Sequence, residues 1–251
     1  MAGHNKWSKV KRIKGALDAK RGRLFSRLSK EIAVAARLGG GNPDFNPRLR
    51  AAIQSARAQS MPNDNIERAI RKGVGEPGVQ AVEEIVYEGY AAGGVALIVE
   101  TATDNKNRTA ADLRLIFSKH HGNLGGPGSV SYMFRRKGQI TVPLATVDED
   151  RLLEIVLDAG AEELSSDDEH HIITMPADQL YAVAESLKKA SIEPDSQKLT
   201  YIPENSVPVA DSQTASQVLK LCDALEDCDD VLNVYANFDI PDDVLAQLQD
   251  H

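Results

Sequence analysis

The sequence predicts an α+β protein of three domains: an N-terminal helical domain followed by two α+β domains. Three observations carry this reading. Apolar residues recur at helical spacing from Asp18 to Gly73, a stretch bearing glycine and proline then breaks the pattern, and beyond it strand-like and helix-like runs alternate in two successive sets.

Residues 1–18 show no sustained apolar period and read as a basic arm built around "KWSKVKRIK". Leu24, Leu28, Ile32 and Ala35 then recur at spacings of four, four and three. At about 100° per residue they form one stripe, and Gly39, Gly40 and Gly41 stop the helix. Lys20, Arg23, Arg27, Lys30 and Arg37 fall in a second sector, so this helix is expected to carry a cationic ridge beside its core face. In "FNPRLRAAIQSARAQS", Asn46 is the expected cap, Pro47 takes the first helical position, and Leu49, Ile53 and Ala56 point inward. "NDNIERAIRKG" offers a capping box from Asp64 to Glu67, with Ile66 and Ile70 inward and Arg68, Arg71 and Lys72 outside. "GVGEPGVQA" reads as a linker.

"EIVYEGY" and "GVALIVETA" read as strands around the turn "AAGG". "NKNRTAADLRLIFSKHHG" reads as a helix with Ala111 and Leu115 inward and Leu113 and Ile116 as further candidates, and "SVSYMF" as the next strand. The second set comprises "QITVPL", "DRLLEIVLDAG", "AEELSS", "HHIITM", "ADQLYAVAESLKKA" and "QKLTYIP". Both sets suit the split βαβ, ferredoxin-like arrangement. The second has two helices and the first only one, so the tail helix "SQTASQVLKLCDALE" and strand "VLNVYANF" are expected to return to the first sheet. The expected domains are residues 1–78, a discontinuous domain of residues 79–134 with 205–240, and an inserted domain of residues 135–204.

Charge is divided unevenly along the chain. Of the 251 residues, the first 78 hold 17 Lys and Arg against 6 Asp and Glu, whereas the remainder hold 12 against 31. A basic segment on an acidic body suits a polyanionic partner, and mutual attraction of the two halves is the competing explanation. Trp7 adds a possible stacking group to the arm. The absence of an Asn, Gln and Arg set on a reading helix favours contact to shape or backbone over a tight base code.

Several classes find no support. No run reaches the roughly 20 apolar residues of a membrane helix, and the basic N-terminus lacks the apolar block of a secretory signal, so a cytoplasmic location is expected. Cys222 and Cys228 have neither redox nor zinc-knuckle spacing. Adjacent histidines at 120–121 and 170–171 diverge on either a helix or a strand and chelate poorly. "SSDDEHH" and "DCDD" lack calcium-loop spacing and read as solvated turns. "HGNLGGPGSV" is neither G-x-G-x-x-G nor a phosphate loop and reads as a tight turn. In "TDNKNRTA", Asp104 or Asn105 can cap a helix whose first-turn amides, with Lys106 and Arg108, could hold an anion; a simple capping turn is the alternative. No metal, cofactor or catalytic centre is expected.

Five blocks in order, "MAGHNKWSKVKRIKGALDAKRGRLFSRLSKEI", "MPNDNIERAIRKG", "YEGYAAGGVALIVE", "TDNKNRTAADLR" and "GNLGGPGSVSYMF", resemble the YebC/PmpR family over essentially the whole chain. At Asn5 many members have serine instead. The resemblance implies a helical domain and two α+β domains, no established catalytic centre, and a role as a DNA-binding transcriptional regulator. It also admits the alternative of a translation factor on ribosomal RNA, since mitochondrial relatives activate translation of a cytochrome oxidase subunit and bacterial relatives are linked to ribosomes stalled on proline-rich stretches. A nucleic-acid contact role passes by resemblance to Lys6, Lys9, Lys11, Arg12, Lys14, Lys106 and Arg108. With Trp7, Lys20, Arg23, Arg27 and Lys30 from the charge pattern, these are the candidate site residues. The expected partner is DNA or ribosomal RNA, with the ribosome itself as a possible partner and no membrane; the sequence leaves the oligomeric state open.

Overall fold

The structure, a computed structural model, describes residues 17–75 and 82–249. The arm and most of the linker lie outside the described residues. The described part is α+β, with a helical region followed by two antiparallel-rich sheets.

Helices α1 (Leu17–Gly39), α2 (Pro47–Ala58) and α3 (Asn63–Val74) enclose a core of Leu28, Ile32, Ala35, Leu49, Ile53, Ala56 and Ile66. Asn46 ties two helix ends together. Its Oδ1 accepts from the Leu49 amide at 3.1 Å, capping α2, while its Nδ2 donates to the carbonyls of Ala35 and Gly40 at 2.8 Å each. A Cβ at Gly73 would stand 2.3 Å from the Ala33 carbonyl oxygen, so glycine permits the close crossing of α3 over α1. The expected capping box does not form: α3 begins at Asn63 after Pro62, with no side-chain cap.

The first sheet has the order β3-β1-β2-β9, from β1 (Glu83–Tyr90), β2 (Ala96–Thr103), β3 (Asn123–Leu124) and β9 (Val231–Ala236). All three pairings are antiparallel. Every residue of β2 is buried, because both faces of the strand are covered. Leu97 and Val99 meet the core shared with α4 (Lys106–Lys119) and α7 (Ser212–Glu226). On the opposite face Ala102 meets Ala33 and Val34 of α1, with Val82 and Leu232. This explains why residues 32–36 of α1 are all buried: the helix is covered from two sides. The inward stripe of α4 is Thr109, Leu113 and Phe117, with Ile116 packed against the same core; Leu113 and Ile116 thus face inward as candidates, whereas Ala111 and Leu115 are exposed, which corrects that part of the expected face. Full burial of Phe117 alone stabilises by about 1.5–3 kcal/mol. Ser131–Met133 is a 3₁₀ turn instead of strand, and the strand that follows, β4 (Phe134–Pro143), starts at Phe134. The expected strand "VLNVYANF" ends as β9 at Ala236, and its last residue opens β10 (Phe238–Asp239), which pairs in parallel with β8 (Val207–Pro208); β8 and the terminal helix α8 (Asp242–Gln249) have no counterpart among the elements expected from the sequence.

The chain divides into two compact units, residues 1–134 with 203–251 and residues 135–202. In the second, β5 (Glu163–Ser166), β6 (His170–Pro176), β4 and β7 (Ser196–Pro203) form a sheet in the order β5-β6-β4-β7. Helices α5 (Glu149–Asp158) and α6 (Leu180–Lys189) complete it through Leu152, Val156, Val183 and Leu187 on Ile140, Val142 and Ile173.

Candidate nucleic-acid interface

The candidate cations divide into three groups by where the fold places them. Lys6, Trp7, Lys9, Lys11, Arg12 and Lys14 lie outside the described residues. Lys20 and Arg23 lie on α1, in its first turns, and their side chains are likewise outside the described set. Arg27, Lys30, Lys106 and Arg108 are described in full.

Arg27 and Lys30 are not a free ridge. Arg27 Nη2 donates to the Leu232 carbonyl, and Lys30 Nζ donates to the Asp229 carbonyl at 2.5 Å and to Asp230 Oδ1 at 2.7 Å. Further along α1, Arg37 donates to the Val82 carbonyl at 2.6 Å. From α2, Arg48 grips Glu84 with two hydrogen bonds at 2.8 and 3.1 Å, the fork geometry that arginine favours. The face of α1 read as a ridge for an external polyanion is, at Arg27, Lys30 and Arg37, the face that fastens the helical region to the first sheet. The reason is local: peptide carbonyls around β9 and the carboxylate of Asp230 come within reach of the same helix face.

Asp230 is the node of this contact. Its side chain is 8% exposed, and it gathers Lys30, Arg108 Nη2 at 3.1 Å and the Thr109 hydroxyl at 2.6 Å. Burial alone would raise this carboxyl; hydrogen bonds from Lys30, Thr109 and Arg108, with the Lys30 charge, outweigh it and hold it at about 2. Arg108 also pairs with Asp104 at 3.0 Å. Asn105 caps α4 by accepting from the Arg108 amide at 3.1 Å. The α4 N-terminus is thus a capped turn whose arginine is engaged by two carboxylates. Lys106 is exposed in that first turn, and its carbonyl accepts from Tyr87 Oη at 3.2 Å.

Beside this contact lies a carboxylate cluster. Glu31 of α1 is largely removed from solvent, and burial pushes its carboxyl up, with Glu100 and Glu84 adding to the rise and Arg48 and Arg27 opposing it. Glu100 in turn accepts from Asn233 Nδ2 at 3.0 Å and Tyr235 Oη at 2.9 Å.

The glycine-rich stretch is organised by an acid of the protein's own. The amides of Gly128, Val130 and Ser131 donate to the Glu88 carboxylate at 2.8, 2.7 and 2.8 Å, and Tyr90 Oη donates to the Ser129 carbonyl at 2.8 Å. Burial would raise the Glu88 carboxyl, but these backbone hydrogen bonds prevail and lower it. Amides that could have met a phosphate are already satisfied, so this segment is a built turn and not an anion cradle.

Sequence reasoning missed Asp230, Glu88 and Glu31. "DCDD" reads as a solvated turn, yet its last residue is buried because, just ahead of β9, it receives Lys30 from α1 and Arg108 and Thr109 from α4. Nothing in "EIVYEGY" marks Glu88 as a buried acid, because the amides that receive it belong to the distant glycine-rich stretch. Cys222 is buried, and burial pushes its thiol and that of Cys228 up, away from the reactive thiolate form. Among the described residues no group of three or more His, Cys, Asp or Glu is arranged to hold a metal ion, and no helix is long and apolar enough to cross a membrane.

Comparison with known proteins assigns the family. A family model described as the TACO1/YebC protein N-terminal domain matches residues 5–76, and one described as the TACO1/YebC second and third domain matches residues 82–238. A probable transcriptional regulatory protein of Aquifex aeolicus is 50% identical over 248 residues, covering 99% of this chain and 100% of the relative. One of Dictyoglomus turgidum is 53% identical over 251 residues, with 99% and 100% covered. The crystal structure of a conserved hypothetical protein from Aquifex aeolicus aligns with a TM-score of 0.84 at 51% identity, over 91% of this chain and 94% of that one. Matched along nearly its whole length, the chain belongs to the TACO1/YebC family.

Proposed function

We propose that this protein is a nucleic-acid-binding regulator of gene expression that acts by binding and not by catalysis, and that it works in the cytoplasm. The observation that carries this reading is the concentration of positive charge in residues 1–78 of a chain whose formal net charge is -8. The naming of full-length relatives as probable transcriptional regulatory proteins agrees with it. Because Arg27, Lys30 and Arg48 are engaged internally, the phosphate contacts are assigned mainly to Lys6, Lys9, Lys11, Arg12 and Lys14, with Trp7 available for stacking. Lys20, Arg23 and Lys106 extend this set, and Arg108, whose side chain is about half exposed beside its two carboxylate partners, contributes a further contact.

Crosslinking in growing cells, followed by sequencing of both the DNA and the RNA that co-purify, tests the reading. Discrete promoter-DNA peaks support a DNA-binding transcriptional regulator. Ribosomal RNA enriched well above its abundance makes the protein a ribosome-associated translation factor instead. Recovery of neither would overturn nucleic-acid binding.

A further inference from the structure

The acidic tail of the chain holds a single cation. Between residues 203 and 251 there are 11 Asp and Glu, and Lys220 is the only Lys or Arg. The fold places that lysine in a pocket of about 400 Å³ with Lys119, His120, His121, Gln213, Ser216 and Gln217.

The pocket is set by the close packing of two helices. It forms where the end of α4 meets the first half of α7, and α4 closes with a backbone motif: the Gly122 amide donates to the Phe117 carbonyl at 2.8 Å, and His121 takes the left-handed conformation at φ 59°. A Cβ on Gly122 would stand 2.8 Å from Leu221 Cδ2 and 2.8 Å from the Tyr90 carbonyl oxygen, so glycine lets the α4 terminus seat directly against α7. That seating brings Lys119 and the two imidazoles alongside Lys220. On α7, residues 213, 216, 217 and 220 share one face, as helical spacing requires.

Its chemistry is one-sided. Two ammonium groups, two imidazoles, two carboxamides and a hydroxyl all offer N–H or O–H donors, and no carboxylate lines the pocket. Lys30, Arg48 and Arg108 have carboxylate partners, whereas among the described residues Lys119 and Lys220 have no ion pair. A concave, donor-lined site with no carboxylate in its lining focuses the local field onto an anion.

We propose that this pocket is a phosphate subsite that seats a backbone phosphate of the bound nucleic acid. This rests on the reading given under Proposed function and adds a contact on the α+β body to those of the N-terminal segment. Lys119 and Lys220 neutralise the phosphate, and the imidazoles, amides and hydroxyl donate to its oxygens.

The test uses the full chain and labelled single-stranded RNA and duplex DNA, with affinity measured by fluorescence anisotropy from 50 to 200 mM salt. The variant is Lys119→Gln with Lys220→Gln, both exposed positions; Lys188→Gln with Lys189→Gln on α6 is the control. The expected result is a salt slope shallower by about 0.7–0.9, one phosphate's worth, in the first variant only. His120 and His121 imidazole resonances should also shift on saturation with oligonucleotide. A slope equal to that of the unmodified protein would overturn the subsite while leaving the wider functional reading intact. Imidazole shifts that saturate with inorganic phosphate but do not respond to oligonucleotide would mark a free-anion site and also overturn it. Failure of the unmodified protein to bind any nucleic acid would remove both the functional reading and the subsite.

Discussion

Lys30 and Asp230, separated by 200 positions in the chain, meet at 2.7 Å where α1 crosses the sheet, and Asp230 also receives Arg108 and Thr109. This contact binds the helical region to the first α+β body. It also uses up positive charge that the sequence alone offers to an external partner.

Asp230→Asn should destabilise the protein by about 2–3 kcal/mol, since it leaves Lys30 and Arg108 without their shared counter-charge. Urea denaturation at pH 7 reads the change as a lower midpoint. The pH dependence follows from the sign of the shift. The folded carboxyl sits at about 2, below its ordinary 3.8, so its contribution is present in full above about pH 4 and is lost as pH falls through 2. The variant and the unmodified protein should therefore converge in stability on acidification.

Glu31 carries the opposite sign. Burial raises its carboxyl, so the folded state holds this proton more tightly than the unfolded chain, and the ionised group opposes folding at neutral pH. Glu31→Gln should stabilise the protein at pH 7, and the gain should vanish as pH falls below the ordinary glutamate value. Thermal unfolding at several pH values checks this; a loss of stability at pH 7 would show that the charge is needed to hold Arg48 and Arg27.

Glu88→Gln weakens three charge-assisted hydrogen bonds to the loop amides, at an expected cost of about 1–3 kcal/mol. Amide hydrogen exchange should accelerate at Gly128, Val130 and Ser131 and remain unchanged in the second unit, residues 135–202. In the unmodified protein the protection of these amides, measured against the intrinsic exchange rate at each pH, should likewise fall as the lowered Glu88 carboxyl is protonated.

The α+β class and most helices are legible in the sequence because they depend on local rules. Asn46 and Asn105 stand at helix starts and cap them, and Leu28, Ile32, Leu49 and Ile53 repeat at helical spacing and are buried. What was not legible depends on long-range partners. The inward face of α4 includes Thr109, whose hydroxyl is buried only because Asp230 receives it, so an apolar pattern places the face wrongly. Arg27 and Lys30 look like a solvent-facing ridge until β9 is placed beneath them. Lys119 and Lys220 carry no signal in the sequence; only the packing of Gly122 on Leu221 brings them to one pocket.

If the N-terminal segment grips phosphate, the salt dependence of binding must report it. With Lys9, Lys11, Arg12 and Lys14 all changed to Gln, the slope of log affinity against log salt should become shallower by about 3.6 on duplex DNA, at about 0.9 for each phosphate that is no longer neutralised. Affinity at low salt should fall with it, for DNA and RNA alike. An unchanged slope in this variant would rule out that role, because the charge that distinguishes the first 78 residues would then have no part in binding.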